Sequence, residues 1–277
     1  MARNLKLTLA YDGSEFHGWQ VQPGLPTVQG TLAECLKRLT GEDVLPQGSG
    51  RTDTGVHALA QVASVQLENP MPERNLVIAL NDVLPASIRV SSVEVVPEGF
   101  HARHSAKAKT YRYRIYRGNI CPPFLARYVL HDPYPMNEEA LMRASEHMVG
   151  THDFTSFAAS DPERSARMAE SAEEDASRVP APTRATTARI GGHEGKLGNV
   201  RTIHSSQWVR TSDELDYTVR GDGFLHHMVR NLVGTFLLVG KGSLKIADVP
   251  AILEARNRSA AGPTAAACGL CLVSVEY

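Results

Sequence analysis

Leu5, Leu7, Leu9 and Tyr11 alternate with Asn4, Lys6, Thr8 and Ala10, and the run stops at Asp12-Gly13. A period of two places every second side chain on one face, which is the pattern of a strand. Similar runs recur along the chain, separated by segments with helical spacing, and this succession constrains the fold most. Thr27 stands before Val28, Leu32, Cys35, Leu36 and Leu39, the apolar stripe of a helix that Thr27 can cap and Gly41 can stop. Ala63, Val65 and Leu67 alternate; Pro72 precedes Leu76, Ala79, Leu80 and Val83 at helical spacing; a strand is expected over 88–96.

The rhythm repeats. Tyr111, Tyr113 and Ile115 share one strand face, and Asn137 can cap a helix carrying Leu141, Ala144, Ser145 and Met148. Strands near 200–210 and 214–220 lead into an apolar helix over 226–239, a short helix near 246–256 and a last strand. The expected fold is α/β, more exactly α+β: two related halves with mixed, largely antiparallel sheets and helices packed on one side. Residues 1–105 would form the N-terminal half, with a glycine-rich loop at 48–57, and 106–277 the C-terminal half. Residues 159–196 break the pattern. They are rich in Ala, Ser, Arg, Glu, Pro and Gly, their larger apolar residues are only Met168, Val179 and Ile190, and a mobile insertion is expected there.

Nothing in the chain offers about 18 consecutive uncharged apolar residues, so no membrane span is expected. The start of the chain lacks a signal-peptide pattern, and a cytoplasmic protein is the default. Four cysteines are too few for a disulfide framework. Cys268 and Cys271 form a C-x-x-C without a second pair, and the tail suits a strand with Cys271 packed in it. The net charge of −1 hides a sorted distribution. No acid occurs between Phe100 and His131, where Arg103, Lys107, Lys109, Arg112, Arg114, Arg117 and Arg127 stand. Six acids crowd into 161–175; without that segment 27 basic and 24 acidic residues remain, a net +3. A basic stripe is thus available for an anionic partner.

The loop "GSGRTDTGVH" contains Asp53-Thr54-Gly55, which is also the triplet of aspartic proteases. Those enzymes need two carboxylates sharing a proton. No second Asp-Thr-Gly or Asp-Ser-Gly occurs, and Arg51 close by would oppose proton sharing. A P-loop would need Gly-Lys-Ser/Thr at its end, which is missing, and a dinucleotide fingerprint would lead into a helix rather than a strand. An Asp-Gly turn with no chemistry remains the bland reading. Against it, Arg51, Asp53 and His57 are gathered on one loop between packed elements, where functional groups tend to sit.

The block "GRTDTGVHALAQVASV" resembles the signature loop of TruA-type tRNA pseudouridine synthases. "LAYDGSEFHGWQVQP", "TVQGTLAECL", "LNDVLP", "FHARHSAKAKTYRYRIY", "HDFTSF", "FLHHMVRNLVGT" and "GLCLVSVEY" agree in order, from residue 5 to 277. The resemblance implies the pseudouridine synthase fold and an isomerase that detaches uracil from its ribose, turns it and rejoins it through C5. It implies uridines 38–40 of the tRNA anticodon stem-loop as targets, no cofactor and no metal, and a homodimer contacting tRNA through both subunits. It places the catalytic Asp on Asp53, its basic partner on Arg230, the stacking Tyr on Tyr111, and Arg51 in the same signature.

The chemistry is consistent with those residues. A carboxylate can act as nucleophile at C1′ of ribose or C6 of uracil, and a guanidinium neighbour favours its charged form. Positions 230, 233, 234 and 237 share a helix face whose other members are Val233, Gly234 and Leu237, so Arg230 needs a partner there or must reach water at the helix edge. A flipped base gains from an aromatic face, though Tyr111 could equally be core. Arg103, Lys107, Lys109, Arg112 and Arg114 would contact the RNA backbone, which positions the RNA without reading its sequence. His57, His101, His104, His226 and His227 are scattered with no acidic set at ligand spacing, so no metal is expected. The alternative is a non-catalytic RNA-binding protein or tRNA chaperone on the same scaffold.

Overall fold

The computed structural model describes residues 2–159 and 198–277. The expected insertion, apart from its first residue, lies outside the described residues. A single sheet of ten strands organises the described chain: β1 (Arg3–Tyr11), β2 (Gln47–Gly48), β3 (His57–Leu67), β4 (Ile88–Val95), β5 (Ala108–Tyr116), β6 (Leu130–His131), β7 (Gly150–Asp153), β8 (Val200–Thr211), β9 (Glu214–Gly221) and β10 (Leu270–Glu276). The order is β4-β1-β3-β10-β5-β9-β8-β7, with β2 beside β3 and β6 beside β5. Only the β10–β3 and β5–β6 pairings are parallel, so the sheet is mixed and largely antiparallel. The chain's last strand lies between β3 and β5, pairing Leu272 with both Ala58 and Tyr111.

Five α-helices occur among the described residues: α1 (Val28–Thr40), α2 (Glu73–Val83), α3 (Glu138–Glu146), α4 (Met228–Gly240) and α5 (Asp248–Glu254). Local signals explain the ends of several. Thr27 accepts a hydrogen bond from the Gly30 N–H, Asn137 does so from Ala140, and Gly41 ends α1 in the left-handed conformation with φ 79°. One expectation is corrected. The helix read over 226–239 begins only at Met228, because His227 takes a left-handed φ of 57° and breaks the helical path.

The alternating apolar residues of β1, Tyr111, Tyr113 and Ile115 of β5, Tyr217 of β9 and Leu272 of β10 are all buried, and one core joins them to Leu32 and Leu36, Leu76 and Leu80, Leu141, and Phe236 from the helices. Phe236 closes edge-on against Tyr217 and Trp208. The other side of β5 carries Arg112 and Arg114, opposite Thr218 and Asp216 of β9. Cys271 is buried in β10 as expected, and burial pushes its thiol pKa up to about 11. No helix among the described residues is long and apolar enough to cross a membrane.

Candidate active site

The loop between β2 and β3 is held from two sides. On one, the Trp19 N–H donates to the Thr52 carbonyl (3.0 Å), and the Gly55 N–H donates to the Phe16 carbonyl (3.3 Å). A Cβ on Gly18, whose φ is +83°, would lie 2.5 Å from the Thr52 oxygen, so only glycine lets the two strands of chain approach this closely. On the other, the Ser49 hydroxyl donates to Gln61 (2.6 Å), whose amide donates to the Gly50 carbonyl (2.9 Å), and the Lys109 ammonium donates to the Ser49 carbonyl (2.5 Å). The Tyr11 and Thr52 hydroxyls are 2.8 Å apart beneath it. Within the loop, the Val56 N–H donates to the Asp53 carbonyl (3.1 Å) and Gly55 turns the chain at φ +78°. These bonds fix the backbone that carries Asp53.

The Asp53 carboxylate faces the start of α4. Its Oδ2 accepts a hydrogen bond from Arg230 Nη1 at 3.0 Å. Arg230 is oriented by a second bond, Nε to the Ala265 carbonyl (2.8 Å), while the Ala265 N–H donates back to the Arg230 carbonyl (3.1 Å). Segment 262–265 lies tightly on α4: a Cβ on Gly234 would sit 1.7 Å from the Pro263 carbonyl oxygen, and the Gly262 N–H donates to the Thr235 hydroxyl (2.9 Å). Arg230 therefore has the partner that its helix face demanded, and the snorkelling alternative is set aside.

Two histidines join the carboxylate, a feature that sequence spacing missed. His226 Nε2 is 3.6 Å from Asp53 Oδ1 and His227 Nε2 is 3.4 Å from Oδ2. Their rings are 3.9 Å apart between centroids. Burial lowers the His227 pKa, assisted by the charges of His226, Arg230 and Arg258 and opposed by Asp53. The expectation of scattered histidines without an acid is thus corrected: one carboxylate oxygen and two ring nitrogens come within 4.8 Å of one another. Such a donor set can hold a transition-metal ion. Here, however, each ring nitrogen faces a different carboxylate oxygen, and the Arg230 guanidinium already holds Oδ2. The arrangement gathers one guanidinium and two imidazole rings around one carboxylate. The only sequence signal for it is the His-His pair three residues before Arg230.

Tyr111 is 8% exposed and its ring meets Phe224 edge-on at 5.0 Å. Its hydroxyl pKa is raised, first by burial, then by the charges of Tyr11, Asp53 and Cys271, which marks it as a neighbour of the carboxylate. It is a core residue of β5. Arg51 is half-buried on the same loop as Asp53.

The expected backbone contacts divide into groups. Arg103 and Lys107 are exposed. Lys109 is turned against the loop, and its pKa falls to about 8, through burial and then the neighbouring charges of Arg103 and Arg201. Arg112 and Arg114 lie on the sheet face opposite Tyr111. Arg114 donates to Glu214 through Nε (2.9 Å) and Nη2 (2.6 Å), while the buried Nε of Arg112 finds no hydrogen-bond partner among the described residues.

A family model described as tRNA pseudouridine synthase matches residues 8–105 and 144–277. The chain belongs to the tRNA pseudouridine synthase family. It is 48% identical over 275 residues to tRNA pseudouridine synthase A of Solibacter usitatus, covering 99% of this chain and all of the relative. It is 43% identical to the enzyme of the same name from Moorella thermoacetica, over 99% of both chains, and 40% identical to that of Bacillus licheniformis, over 99% of this chain and 98% of the relative. The resemblance carried by the sequence blocks is thereby established over the whole chain, and with it the assignment to isomerases of the tRNA pseudouridine synthase type. Both matched stretches of the synthase model contribute to the Asp53 site, the first through the loop and the second through α4.

Proposed function

We propose that the protein isomerises uridines 38–40 of the tRNA anticodon stem-loop to pseudouridine, with Asp53 as the nucleophile. The observation that carries this reading is the Asp53–Arg230 pair, a carboxylate held on a braced loop against a guanidinium that is itself aimed by a backbone carbonyl. In this reading the uridine leaves the stack and lies against the face of Tyr111. The Asp53 carboxylate adds to the ribose at C1′ or to the uracil at C6, the bond between C1′ and N1 breaks, and the base turns. A bond forms between C1′ and C5, the proton of C5 is lost, and the carboxylate is released. Arg230 keeps the carboxylate oriented before and after the swap, and the chemistry needs no cofactor.

The same reading assigns Arg51 to substrate binding and Arg103, Lys107, Lys109, Arg112 and Arg114 to RNA backbone contacts, in a cytoplasmic homodimer of two-half subunits (1–105 and 106–277) whose tRNA contacts both subunits. A binding protein or chaperone is favoured less, because an anionic side chain beside RNA phosphates weakens binding and serves nothing without chemistry. The deciding experiment uses tRNA tritiated at uracil C5. Wild type is expected to release tritium, and Asp53→Asn to bind tRNA but release none. Equal release by both proteins ends the nucleophile assignment.

A further inference from the structure

Three chain segments meet on the ring of His57, four residues after Asp53 and 6% exposed. Nδ1 accepts a hydrogen bond from the Gly13 N–H at 3.1 Å, and Nε2 faces the Arg127 carbonyl at 3.1 Å. The Gly13 N–H and the Arg127 carbonyl suit the neutral ring with its proton on Nε2, while Asp12 Oδ1, 3.2 Å from Nδ1, would draw a proton to that nitrogen. The His57 pKa is lowered by burial, the largest influence, against an upward pull from Asp12, which agrees with a neutral ring.

Each partner leads back to the Asp53 turn. A Cβ on Gly13 would lie 2.0 Å from the Val56 carbonyl oxygen, so the bond to His57 holds the Gly13 backbone flush against the end of that turn. The rest of segment 13–19 is fastened to Gly55 and Thr52, on either side of Asp53. From the other direction the Tyr128 hydroxyl donates to Asp12 Oδ2 (2.9 Å), and the Tyr128 ring lies edge-on to His57 at 5.1 Å.

We propose that His57 is a positioning residue for the isomerisation: its ring ties the Asp53 turn to segment 12–19 on one side and to residues 127–128 on the other. The proposal rests on the reading of Asp53 as nucleophile. The loop contains Gly50 and Gly55 and has little stiffness of its own, while displacing a reacting group by about 1 Å can cost on the order of 100-fold in rate. The competing reading is that His57 only fills space in the core.

The test compares tritium release from uracil-C5-labelled tRNA by the full chain and four variants, under conditions that separate kcat from KM. His57→Phe keeps a ring of similar volume without either nitrogen. It is expected to lower kcat by about 10- to 100-fold with KM for tRNA within about threefold. His57→Asn keeps an acceptor near the position of Nδ1 and is expected to recover most of that loss despite its smaller volume. Tyr128→Phe keeps both rings and loosens the Asp12 carboxylate, whose Oδ1 lies 3.2 Å from His57 Nδ1; it is expected to lower kcat severalfold at unchanged KM, and it decides the matter if the His57→Phe protein does not fold. Full activity in His57→Phe or in Tyr128→Phe, or a His57→Asn variant no better than His57→Phe, overturns the proposal. Asp53→Asn separates the two readings: tritium release by that variant defeats the nucleophile assignment, whereas its silence beside a fully active His57→Phe defeats only the positioning role.

Discussion

Asp53 Oδ2 and Arg230 Nη1 lie 3.0 Å apart although 177 residues separate them in the chain. The guanidinium makes this contact while Nε holds the Ala265 carbonyl at 2.8 Å. Two partners in two directions require a planar fork, which a lysine ammonium on a flexible stem cannot reproduce. Arg230→Lys is therefore expected to keep the charge and lose the aim: kcat falls by about 10- to 100-fold, with KM for tRNA changed by no more than about threefold. Steady-state kinetics on purified tRNA checks this. A variant that loses only KM would make Arg230 an RNA contact instead.

In the proposed reading Tyr111 stacks on the flipped base; its ring packs against Phe224, and no hydrogen bond of its hydroxyl is found among the described residues. Stacking on a flipped base is worth about 1–3 kcal/mol and depends on the aromatic face, not on the hydroxyl. Tyr111→Phe is accordingly expected to stay within about tenfold of wild-type kcat/KM, a smaller loss than that of Tyr111→Leu, which fills the cavity without a π-face. A Leu variant as active as the Phe variant would remove the stacking role. Abolished activity in both would assign the chemistry to the hydroxyl.

What could be read in advance, and what could not, follows from the range of the interactions. The caps at Thr27, Gly41 and Asn137 are local, and they act where the sequence pattern put them. The need of Arg230 for a partner is legible from its apolar helix face, whereas the choice of Asp53 is carried only by the family resemblance, since periodicity does not say how α4 docks beside the loop. Periodicity is equally silent on His226 and His227, whose neighbourhood to Asp53 arises when the chain leaves the helical path at His227. The insertion of β10 between β3 and β5 was illegible for a like reason: periodicity fixes the face of a strand but not its neighbours. Strands β2 and β6, of two residues each, are too short to show any period.

Lys109 gives a pH dependence with a definite sign. Its pKa in the folded chain is about 8, below the ordinary lysine value of 10.5, because burial and the charges of Arg103 and Arg201 disfavour the ammonium. A phosphate arriving at this electropositive corner would favour the ammonium, so binding would take up a proton above pH 8. Affinity for tRNA is expected to weaken as pH rises through about 8 to 9.5, and Lys109→Arg, which stays charged, should flatten that slope. Filter binding at constant ionic strength measures it. Identical slopes in both proteins would exclude Lys109 from the RNA contact. For the free protein the sign is opposite. The folded pKa lies below the unfolded one, so Lys109 costs stability at neutral pH, and that cost is relieved between about pH 8 and 10.5.

Gly234 tests whether the site depends on the docking of segment 262–265. A Cβ there would lie 1.7 Å from the Pro263 carbonyl oxygen, a backbone atom that cannot move aside alone. The segment is bound to α4 at several points: Gly262 N–H to Thr235, Thr264 hydroxyl to Asn231, and Ala265 to Arg230 through both backbone groups. Gly234→Ala must push this run of chain outward, and the Ala265 carbonyl that aims Arg230 goes with it. Overpacking of this kind costs about 1–3 kcal/mol. In a chain of this size that corresponds to a fall in thermal midpoint of roughly 2–12 °C. The loss of activity at a temperature where the variant is fully folded is expected to be larger than stability alone explains, and to appear in kcat rather than KM, because the guanidinium loses one of the two contacts that direct it. Calorimetry and tritium release on the same preparation decide it. A folded, destabilised variant with wild-type kcat would show that Arg230 finds Asp53 without help from Ala265.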